Sequence, residues 1–476
     1  MSKFDAVVIG AGPGGYVCAI RLAQLGQKVA LIDRDNLGGT CLNWGCIPSK
    51  ALIHAAHLYE TMHTTAGDMG FSFEGLELDF GKLNQWKNGI VKQLTGGIGG
   101  LCKRHGIEVI MGTAAFAGPN QLEVSLAEGG KKETVDFDKA LIATGSASAS
   151  IPGVEFDGER IIASKEALNL PELPNQMVLV GAGVIGLELG SFYSMLGTQV
   201  VVLEYLDQLL PGTDLDLVRV VQKKLESRGA QIHTAFQVQS AQRQGDKVIV
   251  RGAPKSGGDE LVFETEVVLV STGRRPYTQA LEPERAGINP DERGFINVNQ
   301  SLQTAAPHIY AIGDVTPGPA LAHRASHQAL VAAAHLAGDD KAVVDYRVVP
   351  GAIFTEPEIA SAGLSEAEAA AKGIDIKVGK FPFAALGRAL ANANSEGFVK
   401  LVGDAKTDQL LGMHIVGGDA SNLIGEGALA IEMGANIEDL ALTVHVHPTY
   451  SESIMEAAES YFGHAVHIFQ SDRGRK

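Results

Sequence analysis

The hydrophobic stretches of this chain are short, and glycine turns close many of them. Phe4 to Ile9 is an apolar run that stops at Gly10-Ala-Gly12-Pro-Gly-Gly15. Val17 to Leu25 then alternates with a helical period, Gly26 ends it, and Val29 to Ile32 is a second apolar run closed by Asp33. The predicted order is strand, glycine turn, helix, strand, acid. It recurs in Met177 to Val180, Gly181-Ala-Gly183-Val-Ile-Gly186, a helix through Met195, Gly197, and Val200 to Leu203 closed by Glu204. From first glycine to acid is 23 residues in both copies, Gly10 to Asp33 and Gly181 to Glu204.

A glycine turn feeding a helix lets a pyrophosphate approach the helix N-terminus, where free N–H groups and the helix dipole favour anions. An acid at the end of the second strand suits a ribose diol. The motif alone is weak, but both copies have the surrounding strands and helix that give it meaning. Two such units predict an α/β fold with two Rossmann-like dinucleotide-binding domains, one for a flavin and one for a nicotinamide nucleotide. Glu204 accepts from a 2′-hydroxyl and repels a 2′-phosphate. Tyr205, Leu206, Asp207 and Gln208 add no cation beside it, so NAD is expected over NADP.

Each copy later has a strand entering a small-residue turn. These are Ala140 to Ala143 before Thr144-Gly145, and Val267 to Val270 before Ser271-Thr272-Gly273. The first copy is 43 residues longer over this span, and its extra length holds Cys41 and Cys46 with a helical stretch beyond. Residues 151–176, with Pro152, Pro171 and Pro174, read as the crossing between domains, and the second domain ends near Arg275-Pro276. Phe295 to Val298 and Ile309 to Asp314 read as strands returning to the first domain. Asp314 either holds a polyol hydroxyl or caps the next helix. After Pro350 the texture changes: Phe398 to Val402 and Leu411 to Val416 suggest antiparallel strands, Asn422 to Met433 and Ile454 to Tyr461 helices. The expected domains are 1–150, 151–278, 279–349 returning to the first, and 350–470, with a disordered tail from Ser471.

Composition narrows the chemistry. The 476 residues carry a net charge of −16, which disfavours nucleic acid or an anionic membrane as main partner. No apolar run reaches the ~18 residues of a spanning helix, and the first residues enter a strand at once, so a cytoplasmic location is expected. Four cysteines make no disulfide framework. In a reducing compartment a close pair such as Cys41 and Cys46 is either redox-active or two buried thiols. For a disulfide their α-carbons must come within about 7 Å, which neither a straight helix nor a strand allows; Gly45 and Pro48 permit the distortion. His445-Val-His447 has metal-like spacing, but no further Cys/His cluster supports zinc, and no metal is expected. The alternatives for His447 are a base oriented by Glu452 and a buried histidine near a helix start.

Gly-Gly-Thr-Cys41 through Cys46-Ile-Pro-Ser-Lys50, both fingerprints, Ala-Ile-Gly-Asp314 and His447-Pro-Thr-Tyr-Ser-Glu452 together resemble the flavin-dependent pyridine nucleotide–disulfide oxidoreductases over nearly the whole chain. Among them the chain is most similar to the branch that reoxidises dihydrolipoyl groups. The resemblance implies FAD at Gly10, Gly12 and Gly15, with Asp33 on the adenosine ribose and Asp314 near the ribitol. It implies NAD at Gly181, Gly183, Gly186 and Glu204, with Gly145 and Gly273 in the nearby turns, and a Lys50–Glu188 ion pair beside the flavin. Cys41 would take the substrate thiolate, Cys46 would face the flavin, and His447 with Glu452 would move the proton. It further implies a C-terminal dimerisation domain, a homodimer with His447 acting across it, and, as partners, lipoyl domains and the acyltransferase core of 2-oxo acid dehydrogenase or glycine cleavage complexes. Glutathione- and mercuric-reductase-like enzymes and a flavoprotein with a binding role are the alternatives. Asp33, Arg324, Ser326, His327, Glu356 and Tyr450 depart from the family's commoner residues.

Overall fold

The computed structural model describes residues 2–470; the tail expected from Ser471 lies outside them. The chain opens with β1 (Ser2–Ile9), α1 (Pro13–Gln24) and β2 (Val29–Asp33). The helix begins four residues earlier than the apolar pattern suggests, because Pro13 is well placed in a first turn, where its missing N–H costs nothing. Then come α2 (Gly39–Trp44), α3 (Cys46–Thr64) and α4 (Phe80–Arg104), followed by β3 (Glu108–Gly118), β4 (Gln121–Leu126) and β5 (Lys132–Ile142). The extra length of the first copy is these three helices. β1 pairs in parallel with both β2 and β5, β2 with β3, and β4 joins β3 and β5 antiparallel.

After β6 (Ser146–Ser148) the second unit comprises β7 (Ile161–Ile162), α5 (Ser164–Ala167), β8 (Gln176–Val180), α6 (Val184–Met195), β9 (Gln199–Leu203), α7 (Leu215–Ser227) and β10 (Gln231–His233). It continues with β11 (Phe236–Gln244), β12 (Lys247–Pro254), β13 (Leu261–Thr265) and β14 (Val267–Val270). Its parallel sheet runs β10-β9-β8-β14-β7, beside an antiparallel β11-β12-β13 sheet. Residues 151–176 are therefore more than a crossing, since β7 forms the edge of that sheet. The chain leaves through β15 (Arg274–Pro276), which pairs antiparallel with β6, so outgoing and returning segments brace each other.

The return is β16 (Ile309–Ala311) on β5, then α8 (Ala322–Leu336), whose Ala329, Ala332 and Ala333 pack with Cys18, Ala19 and Leu22 of α1. The strand expected at Phe295 to Val298 does not form. Asp291 instead takes the Phe295 N–H on its carboxylate and gives its own N–H to the Phe295 carbonyl, closing a turn, while Ile296 is buried. Ile309 to Asp314 is strand only to Ala311, and Asp314 sits in a single helical turn, Gly313–Val315.

The remaining chain forms β17 (Gly351–Ile353), β18 (Glu358–Gly363), α9 (Glu366–Ala371), β19 (Ile376–Pro382), α10 (Gly387–Ala391), β20 (Gly397–Asp404) and β21 (Leu410–Gly417). Helices α11 (Ala420–Met433), α12 (Ile437–Leu442) and α13 (Glu452–Phe462) complete it. The five strands make one antiparallel sheet, β17-β18-β21-β20-β19. One apolar cluster joins the parts: Leu52, Ile53 and Ala56 of α3 meet Leu187, Leu189 and Phe192 of α6, with Ile359, Phe398 and Val416 from the last sheet. The helix that starts at Cys46 is thus packed into the core of the second unit. The buried Lys400 ammonium of β20 reaches across the seam to Asp214 and Asp216 at 2.7 and 3.0 Å, and holds Glu366 of its own domain at 2.9 Å.

Candidate active site

The two glycine turns are built alike. Gly10 and Gly181 have φ of 102° and 98°, which a side chain rarely adopts. A Cβ on Gly15 would lie 1.7 Å from the Gly10 carbonyl oxygen, and one on Gly186 2.4 Å from that of Gly181. Gly12 and Gly183, the residues preceding α1 and α6, have open space where a Cβ would be. Both acids also secure their own turn. Asp33 accepts the Ala11 and Asp35 N–H groups at 2.6 and 2.8 Å; Glu204 accepts those of Ala182 and Leu206 at 2.6 and 2.8 Å. Burial outweighs these bonds at Asp33 and raises its carboxyl above the ordinary value.

A cleft of about 1030 Å³ runs from the first turn to the cysteines. Gly10, Gly12, Asp33, Cys41, Cys46, Lys50, Gly145, Glu188 and Asp314 line it, so one cavity gathers residues of α1, α3, α6 and the turn after β16. The open position at Gly12 and the unfilled space of the cleft fit a flavin dinucleotide. Gly181, Gly183 and Gly186 of the second turn, Glu204 after β9 and Gly273 after β14 lie outside the lining of this cleft; Val184 and Ile185 at the start of α6 reach it.

Gly45 (φ −146°, ψ −116°) separates α2 from α3, placing Cys41 in one helix and Cys46 at the first position of the next. A Cβ on Gly45 would meet the Thr40 carbonyl at 2.8 Å. This break supplies the distortion the spacing requires. Interaction with the Cys41 thiol, together with the Lys50 ammonium, overcomes burial and pulls Cys46 down to about 7. The same interaction and burial push Cys41 far up. A helix N-terminus and a nearby ammonium are standard sources of a stabilised thiolate. Lys50, one turn further on, pairs with Glu188 of α6 at 2.6 Å and lies 4.4 Å above the Phe354 ring. The other Glu188 oxygen accepts the Phe354 N–H at 2.9 Å. Phe354, from the segment between β17 and β18, carried no sequence signal; the contact is long-range.

Asp314 accepts from the Ser146 hydroxyl at 2.6 Å, and the Arg274 Nε donates to the same hydroxyl at 2.7 Å. Neither Ser146 nor Arg274 was legible as a site residue, because β6 and β15 come together only through the domain crossing. His447 Nδ1 lies 2.8 Å from a Glu452 oxygen, and the other oxygen takes the Thr449 N–H at 2.8 Å. Burial works to raise Glu452, but the Thr449 bond and His447 prevail and hold it below the usual range. The His447 side chain is 79% exposed, and the pair lies away from the cleft of its own chain. His445 instead pairs with Glu426 at 2.9 Å, so the two histidines face separate carboxylates rather than a common ligand. Around this region Met433, Leu442, Val444 and Val446 are 74–94% exposed.

Residues 4–329 match the family model for pyridine nucleotide-disulphide oxidoreductase, and residues 349–458 match the model for that family's dimerisation domain. The chain belongs to the pyridine nucleotide-disulphide oxidoreductases. It is 46% identical to a dihydrolipoyl dehydrogenase of Halobacterium salinarum over 97% of both chains. It is 45% identical to the dihydrolipoyl dehydrogenase of Geobacillus stearothermophilus, covering 98% of this chain and 97% of that one. LpdA of Mycobacterium tuberculosis superposes with a TM-score of 0.88 at 29% identity, over 96% of this chain and 99% of that one. The HOCl-induced flavoprotein disulfide reductase RclA of Escherichia coli gives 0.84 at 30%, over 94% and 98%. As a member of this family the chain is an oxidoreductase whose cofactors are FAD and NAD. Among the described residues no helix is long and apolar enough to cross a membrane.

Proposed function

We propose that this chain oxidises dihydrolipoyl groups with NAD+, using Cys41 and Cys46 as its redox pair and His447 of the partner subunit as its base. The observation that carries the reading is the thiol pair at the α2–α3 break. A low-pKa Cys46 beside Lys50 faces the cleft that holds the first glycine turn. Starting from the Cys41–Cys46 disulfide, His447 removes a proton from one substrate thiol, because the thiolate is the nucleophile. The thiolate attacks Cys41, and Cys46 leaves as a thiolate, a departure favoured by its lowered pKa. As the second substrate thiol attacks the substrate sulfur of the mixed disulfide, His447 hands its first proton to the departing Cys41 sulfur and takes the proton of that second thiol, so release of the cyclic disulfide leaves a Cys41 thiol, a Cys46 thiolate and a protonated His447. Glu452 keeps the imidazole oriented and balances its charge. FAD, when bound, passes the two electrons of the dithiol on to NAD+. Gly10, Gly12, Gly15, Asp33, Gly145 and Asp314 would hold the FAD, and Gly181, Gly183, Gly186, Glu204 and Gly273 the NAD, with Lys50 and Glu188 between them.

The domains follow as 1–150 with 279–349 for FAD, 151–278 for NAD and 350–470 for dimerisation. The exposed apolar residues near His447 support a homodimer. We place the enzyme in the cytoplasm, serving lipoyl domains of a 2-oxo acid dehydrogenase or glycine cleavage complex. Its negative charge suits docking to a basic module of the acyltransferase core. The deciding experiment compares dihydrolipoamide with NAD+ or NADP+ against glutathione disulfide with NADPH. The first couple should dominate, and Cys46→Ser should abolish it while the protein stays yellow. Turnover confined to glutathione disulfide and NADPH, or a colourless Cys46→Ser protein, would sink the reading.

A further inference from the structure

Glu204 is the only charged group the sequence puts at the adenosine end of the second nucleotide site besides Asp207. The fold brings another. The Phe236 N–H donates to the Glu204 carbonyl at 2.9 Å, the Ala235 N–H to the Leu206 carbonyl at 2.7 Å, and the Lys255 N–H to the Ala235 carbonyl at 2.8 Å. Residues 204–206, the turn before β11 and the end of β12 therefore form one rim. On it the Lys255 ammonium lies 4.0 Å from the centre of the Tyr205 ring. Tyr205 follows Glu204 directly and is 54% exposed. The two cations of β12, Lys247 and Arg251, are paired with Glu264 at 3.8 Å and Glu260 at 3.0 Å, whereas Lys255, just past its end, makes no ion pair among the described residues.

We infer that Lys255 is a specificity-determining residue of the nucleotide site, giving it a measurable tolerance for a 2′-phosphate that Glu204 alone would refuse. The inference rests on reading the second glycine turn as the nicotinamide-nucleotide site. The two acidic and basic groups differ in freedom. Both Glu204 oxygens are fixed by N–H groups of the turn, so the carboxylate cannot turn away from a phosphate beside it. Lys255 is a long, exposed arm resting on an aromatic face, an attraction weak enough to exchange for a charge-assisted bond to phosphate. The result is a site that prefers NAD yet admits NADP, and does so less at high salt, because an exposed pair is screened. Tyr205 is a positioning residue here, since it holds the ammonium at the rim.

The test uses the FAD-loaded enzyme and two probes without a nicotinamide ring, ADP-ribose and 2′-phospho-ADP-ribose, titrated by calorimetry. Wild type should bind both, the first more tightly. Lys255→Met should leave ADP-ribose within about twofold and weaken the 2′-phosphorylated probe roughly three- to tenfold; Lys255→Arg should restore it. Tyr205→Ala should move the same ratio in the same direction. The inference is overturned if wild type does not bind the phosphorylated probe, or if Lys255→Met weakens both probes equally or neither. If wild type binds neither probe, the nucleotide reading itself falls and the inference with it.

Discussion

At the scale of single residues, the proposed chemistry concentrates on Cys46. Its thiol is lowered to about 7, so above that pH the reduced enzyme carries a thiolate there, and acidification through 7 protonates it. Alkylation of the reduced enzyme by iodoacetamide should therefore rise with pH along a curve centred near 7. Lys50→Met removes one of the lowering influences and should shift the curve to higher pH; an unchanged midpoint would deny Lys50 that role. The cysteines, Lys50 and the His447–Glu452 pair were legible in sequence because each lies in a short local motif. Phe354, Ser146 and Arg274 were not, because each reaches its partner through the fold. Asp33 and Glu204 were read as ribose ligands only, yet each also ties down the turn in front of it. Two of the departures from the family's commoner residues find local partners. Arg324 is buried and donates to the Pro317 and Pro319 carbonyls, fixing the loop after Asp314. The Tyr450 hydroxyl donates to the Asn394 carbonyl at 3.1 Å, while its ring packs edge-on against Phe383.

At the scale of elements, the matched turns make matched predictions with different outcomes. Gly15→Ala drives a methyl group into the Gly10 carbonyl, and Gly186→Ala drives one into the Gly181 carbonyl and the Ser271 hydroxyl. The first variant should purify with little FAD, seen as lost yellow absorbance. The second should stay yellow and show a KM for NAD+ raised at least about tenfold, given the usual cost of overpacking. Reversed outcomes would mean that the assignment of the two turns is inverted. Periodicity located the strands and helices flanking these turns, and the start of α1 moved by a few residues because Pro13 sits in its first turn. It failed at Phe295 to Val298, where apolar residues are buried singly, the Phe295 backbone bonds go to an Asp291 turn and the Ile296 N–H to the Val315 carbonyl, rather than to a neighbour strand. It also passed over β7, whose two residues are too few to show a period.

At the scale of the molecule, no residue from 443 to 452 lines the cleft of its own chain, while His447 points outward among exposed valines. A mixed dimer tests whether the site is shared. One subunit carries Cys46→Ser and the other His447→Ala; each homodimer should be nearly inactive. The heterodimer should keep about half of wild-type activity if the two sites act independently. A folded, FAD-loaded, inactive heterodimer would show that His447 serves its own chain. A shared site was suggested only by family resemblance, since 406 residues between Cys41 and His447 say nothing about which copy closes the gap.

The pairing of β16 with β5, Ile309 on Ala140, has a consequence for how the protein is made. The sheet that begins at Ser2 lacks its last strand until the ribosome has passed residue 311, whereas every strand of the second unit's parallel sheet lies between residues 161 and 270. The middle of the chain should therefore reach its native form before the beginning does, with the emerging first unit waiting for α8 to cover α1. Nascent chains arrested with residue 290 clear of the exit tunnel should resist protease around residues 161–270 and be cut within residues 2–142; early protection of the N-terminal part would show that synthesis and folding keep the same order.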